Sequence, residues 1–113
     1  MRYGHDLLYG VRKADLEYVS KRVETVMKMV LTKHSSSTRG GDYFRLDESE
    51  VELIVQRNYD CVDETPAEPD YPQMSTLIYV SGGDDVFPIT QLLESEMPEI
   101  VLVRRHTQAT PGT

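Results

Sequence analysis

The chain has 113 residues, with 12 Lys and Arg against 19 Asp and Glu, for a formal charge of −7. That length makes one domain, able to bury a core without disulfides or a structural metal, and 39% hydrophobic residues excludes wholesale disorder. The negative balance argues against direct contact with nucleic acid or anionic lipid, both of which call for clustered Lys and Arg, and suits steering toward a cationic partner.

Residues 5–11 alternate as a first strand, with Leu7, Tyr9 and Val11 on one face and Leu8 on the other. Leu16, Val19, Val23, Val26 and Val30 recur at three- and four-residue steps, the stripe of an amphipathic helix. Asp15 is its N-cap, and the helix is expected to end between Met29 and Thr32. Residues 34–41, HSSSTRGG, read as a polar loop, since two glycines permit positive φ. Residues 42–46 and 51–57 alternate as two strands. The stretch 47–50 has turn composition, so the pair forms a hairpin. Residues 75–80 are apolar on both faces, as in a central strand. After Gly82 and Gly83, Asp84 or Asp85 caps a second helix with Pro88 in its first turn and Ile89, Leu92, Leu93 and Met97 inward. Pro98 stops it. Residues 100–104 form the last strand, and 107–113 have the composition of a tail. The order β-α-β-β-β-α-β predicts an α+β fold: a mixed five-stranded sheet with two helices on one face, a ferredoxin-like variant. The final β-α-β is read as a parallel crossover, and residues 1–106 as one domain.

Between the third and fourth strands lies NYDCVDETPAEPD, from Asn58 to Asp70. It opens a run with no Lys, Arg or His from Asn58 to Val103. Pro66, Pro69 and Pro72 forbid a helix interior or central strand, so 61–73 is a loop. Its carboxylates Asp60, Asp63, Glu64, Glu68 and Asp70 make a solvated acidic surface flanked by Tyr59 and Tyr71, the residue type favoured at binding hot spots. An acid–base pair would need an apolar pocket and a nucleophile beside it, and the segment supplies neither. The single cysteine, Cys61, excludes an internal disulfide and fits a reducing compartment. Cys61 with His5, His34 and His106 shows no metal-ligand spacing, and the calcium-loop pattern is absent, so neither metal nor cofactor is expected. A nucleophilic pair of Cys61 with a histidine is not decided by spacing, because such pairs meet only in space. Tyr43, Phe44 and Arg45 resemble an RNA-reading strand only in passing, against an acidic background. A leader pattern and an apolar run of membrane-spanning length are lacking, so a cytoplasmic protein is expected.

RGGDYFRL (Arg39–Leu46), VELIVQRNYD (Val51–Asp60) and AEPDYP (Ala67–Pro72) resemble segments of small immunity proteins encoded beside bacterial polymorphic toxins, including those of contact-dependent growth inhibition. The resemblance implies a non-enzymatic protein that binds a cognate toxin domain, often a nuclease with a basic groove, and blocks it. Tyr59, Asp60, Asp63, Glu64, Glu68, Asp70 and Tyr71 are the partner surface expected from the residues themselves. The rival expectations are a ferredoxin-like module that binds a small molecule and a small cysteine enzyme.

Overall fold

A computed structural model describes residues 2–47 and 49–110. In chain order the elements are β1 (Arg2–Val11), α1 (Leu16–Met27), β2 (Thr32–Ser36), a 3-10 turn (Ser37–Arg39), β3 (Gly41–Arg45), β4 (Glu52–Arg57), β5 (Thr76–Gly82), α2 (Val86–Glu96) and β6 (Ile100–Thr110). The strands form one six-stranded sheet in the order β2-β3-β4-β5-β1-β6, and every pairing is antiparallel.

The expectation of a mixed five-stranded sheet is thus corrected twice. Residues 32–36, read mostly as loop, pair with β3 from Thr32 opposite Arg45 to Ser36 opposite Gly41. TKHSS carries no apolar alternation, because an edge strand with exposed side chains needs none. The second correction concerns the crossover. β5 and β6 do run in the same direction, but β1 lies between them and pairs antiparallel with both. The result is a split β-α-β unit. β6 also runs on through Thr107–Thr110, read as tail, because β1 begins at Arg2 and supplies partners to the end. The rest of that tail, 111–113, and Glu48 of the 47–50 turn lie outside the described residues.

Alternation places the core. Leu7, Tyr9 and Val11 of β1, Leu53 and Val55 of β4, and Ile78 and Val80 of β5 share one face with Leu16, Val19 and Val23 of α1 and Val86, Leu93 and Met97 of α2. Both helices therefore pack on this face. Asp15 caps α1 as expected, its Oδ1 accepting from Tyr18 N at 2.8 Å. The helix stops earlier than the stripe implies: Lys28 turns left-handed at φ 55, and Val30 is left 81% exposed. Leu92, expected inward, is 37% exposed on α2, and Asp85 makes no side-chain cap bond. Among the described residues, no helix is long and apolar enough to cross a membrane.

The opposite face of the sheet, free of helices, carries a second cluster. Leu8 and Leu77 are buried there with Met74, and Ala67, Tyr71, Tyr79 and Val103 pack against them. Ala67, Tyr71 and Met74 come from the segment joining β4 to β5, so the Pro-rich loop is a strap over the open face of the sheet.

Candidate functional site

Asn58 closes the strap. Its side-chain amide donates to the carbonyls of Tyr71 and Met74, each at 2.9 Å, and its Oδ1 accepts from Glu68 N at 2.8 Å. A single half-buried amide thus ties together three backbone groups of a loop that crosses apolar side chains.

The first half of the strap is a tight acidic tip. Asp60 and Thr65 form an isolated antiparallel bridge, with Asp60 N donating to Thr65 O and Glu64 N to Asp60 O, both at 2.8 Å. Asp60 Oδ1 accepts from Val62 N at 2.9 Å and Asp63 N at 3.3 Å, the turn for which a short carboxylate side chain is suited. Glu64 takes a left-handed conformation at φ 55. The tip is tied to the 3-10 turn by Cys61 N donating to Ser37 O at 2.9 Å. Gly40 stands where this contact demands it: its φ is +77, and a Cβ there would lie 2.8 Å from the Tyr59 carbonyl oxygen.

The second half is seated on the sheet. Tyr71 Oη donates to Val103 O at 2.9 Å. Glu68 takes both guanidinium arms of Arg104, at 2.9 and 3.0 Å, and the Tyr79 hydroxyl at 2.8 Å. Its side chain is only 15% exposed. Burial pushes its carboxyl pKa up, but the hydrogen bonds from Arg104 and Tyr79 outweigh that and hold it below the usual value. Burial, and then the bond to Glu68, push the Tyr79 phenol far above its ordinary value. A bidentate, charge-assisted contact of this kind is among the stronger ones a protein makes.

The seven residues expected as one partner surface therefore divide. Glu68 and Tyr71 are half-buried and turn toward the sheet, where Glu68 bonds Arg104 and Tyr79 and Tyr71 bonds the Val103 carbonyl. Asp60 shapes the turn. Tyr59, Asp63, Glu64 and Asp70 are exposed, and among the described residues no Lys, Arg or His lies within ion-pair distance of those three carboxylates. Val62, 66% exposed beside Tyr59 at 40%, joins them at the tip. A lone Val in a polar run carries no periodic signal, so sequence reasoning passes over it.

Two shallow grooves flank the strap's seat and share Tyr79 and Ser81. One, of about 410 Å³, is lined also by Asp6, Leu8, Arg104 and His106. The other, of about 340 Å³, is lined by Arg39, Glu52, Gln56, Asp60 and Ala67. Tyr43 and Arg45 share the open face while Phe44 packs into the helix-side core. His34 stacks on the Tyr43 ring at 5.5 Å, and Arg39 lies 5.5 Å from the same ring, so the protein's own side chains already use that aromatic surface. Cys61 is free and exposed. His34 is engaged by Asp47 at 3.2 Å. His5 is buried between Asp84 at 2.9 Å and Thr107 at 3.1 Å. Among the described residues, no three His, Cys, Asp or Glu side chains converge as metal ligands would. No family model matches the chain, and no curated protein matches it in sequence.

Proposed function

We propose that the chain is a cytoplasmic immunity protein that binds a cognate toxin domain, a nuclease with a basic groove, and neutralises it by occupancy rather than by turnover. In this reading β1-α1-β4-β5-α2-β6 is a ferredoxin-like unit with the β2–β3 hairpin added at its edge. The observation that carries the proposal is the strap tip. Tyr59 and Val62 are exposed with Asp63 and Glu64, and Asp70 is exposed further along the strap. Among the described residues these three carboxylates have no ion-pair partner, and the loop is fixed at both ends by hydrogen bonds. A preordered loop loses less conformational entropy on docking than a mobile one. The charges would speed association and select a basic partner, while the apolar side chains would slow dissociation.

The test begins with the protein encoded by the adjacent reading frame. Co-expression should protect cells from that product. Changing Asp63, Glu64 and Asp70 together to Asn, Gln and Asn should slow association, flatten its salt dependence and weaken binding by roughly 1–3 kcal/mol. The same change at three other exposed carboxylates outside the strap, Glu50, Asp85 and Glu96, should do less. Equal effects from the two sets would reduce the tip to its share of net charge, and an adjacent product that is not toxic would end the immunity reading. A second reading, a small-molecule regulatory module, is favoured by the 410 Å³ groove beside Tyr79 and Arg104. It requires a ligand that raises thermal stability and is lost on filling the groove by Ser81→Phe.

A further inference from the structure

We infer that Glu68 is the positioning residue of the acidic strap: its seat on Arg104 and Tyr79 is a latch that fixes the shape of residues 59–70, and releasing it uncovers Leu8 and Leu77. This deepens the proposed function, because it assigns the control of the docking tip to groups that do not touch the partner. Three observations converge. The strap's apolar hold on the sheet is small, with Met74, Tyr71 and Ala67 over Leu8 and Leu77. Tyr71 N donates to Glu68 O at 3.0 Å and Glu68 N to Asn58 Oδ1, so the backbone of Glu68 is itself a junction of the strap. The Glu68 carboxylate is the sole ion pair by which the strap is anchored among the described residues.

The latch is electrostatic, so the groups around it decide its sensitivity. Arg104 and His106 face it from β6, Tyr79 from β5 and Asp6 from β1. Arg39 and Glu52 lie across the adjoining groove beside Asp60. Arg104, together with the Tyr79 hydroxyl, holds the carboxylate ionised, and protonation of Glu68 at acid pH removes the ion pair while leaving the apolar contacts. The strap would then open before the sheet unfolds, since the sheet is closed by ladder bonds that the latch does not enter.

The experiment uses the free protein, so its outcome is independent of any toxin. Amide hydrogen exchange is followed at Glu68, Tyr71 and Met74, with β1 and β5 amides as the internal reference. In Glu68→Gln and Arg104→Gln, strap exchange should rise about ten- to a hundredfold, the loss of one charge-assisted bond pair, while strand exchange holds. Tyr79→Phe, which keeps the ring, should give a smaller rise. In the wild type, exchange of the strap relative to intrinsic chemistry should rise as pH falls through the Glu68 titration, and in Glu68→Gln that dependence should vanish. Unchanged strap exchange in Glu68→Gln, or the same pH profile in both proteins, would overturn the latch. A rise shared by strap and strands would also overturn it, by making Glu68 a general brace of the fold.

Discussion

Gly10 sits on the open face of β1, directly under Met74. A Cβ added there would lie 2.6 Å from Met74 Sδ and 3.0 Å from its Cβ, so the methionine cannot clear it by moving its far end alone. Gly10→Ala should therefore lift the C-terminal end of the strap and destabilise the protein by about 1–3 kcal/mol, read as a lower urea midpoint. Gly40→Ala should act on the other end. It forces a left-handed alanine and pushes on the Tyr59 carbonyl, so a cost of about 1–2 kcal/mol with an altered Tyr59 environment is expected, measurable by NMR shifts. Neither glycine's role was visible in sequence. Gly40 read as a permissive loop residue, which its φ bears out, but the neighbour that makes it necessary is 19 positions away. The same limit applies to Glu68. Composition placed it correctly in an acidic loop, yet its cation is Arg104, and only the register of β6 on β1 and of β1 on β5 brings that side chain opposite Tyr79. Glu24 carries a related lesson: it reads as a surface helix charge, but its Oε2 accepts from Leu31 N at 2.8 Å and closes the turn into β2.

At the scale of elements, what sequence reasoning found were the segments with a period. The β1 alternation, the first four residues of the α1 stripe, the β3–β4 hairpin and the two-faced apolar β5 all stand where hydrophobic spacing puts them. What it missed had no such signal. β2 is polar and exists because β3 offers it a ladder, and the last third of β6 exists because β1 does. The start of α1 is the best-specified boundary. Besides the Asp15 cap, the buried Thr76 donates its hydroxyl to Ala14 O at 2.7 Å, which fixes the entry to the helix from β5. Asp15→Ala should cost about 0.5–2 kcal/mol, since it leaves the Tyr18 amide without its side-chain partner, and circular dichroism should show the loss as earlier thermal unfolding. α2 should respond less at Asp85, which occupies the corresponding position without a cap bond.

For the whole molecule, the perturbed groups set how stability follows pH. Three carboxyls are held below their ordinary values. Asp47 is lowered chiefly by the Thr32 hydroxyl, Glu99 by the Arg22 guanidinium, and Glu68 by Arg104 and Tyr79 against its burial. Each binds a proton more readily in the unfolded chain, so between its folded value and the ordinary one the unfolded state takes up more protons and stability rises with pH. That contribution is complete above about 4.5, the ordinary glutamate value, and is lost as pH falls through the folded values. The phenols act in the opposite sense. Tyr9, buried and donating to Glu94 at 2.7 Å, and Tyr79, half-buried and donating to Glu68, both lie far above the ordinary 10.0. Above that value the unfolded chain has released protons that the folded chain keeps, so stability falls as pH rises. Urea midpoints measured from pH 2 to pH 11 should therefore form a plateau between about 5 and 9.5 with two falling limbs. Glu68→Gln should shallow the acid limb, and the alkaline limb only by the part that Glu68 lends to the Tyr79 phenol. Tyr9→Phe together with Tyr79→Phe should shallow the alkaline limb and leave the acid one in place, apart from the part of it that Tyr79 lends to Glu68. An alkaline limb of unchanged slope in the double phenylalanine variant would show that lysines or exposed tyrosines, not these two hydrogen-bonded hydroxyls, govern unfolding in base.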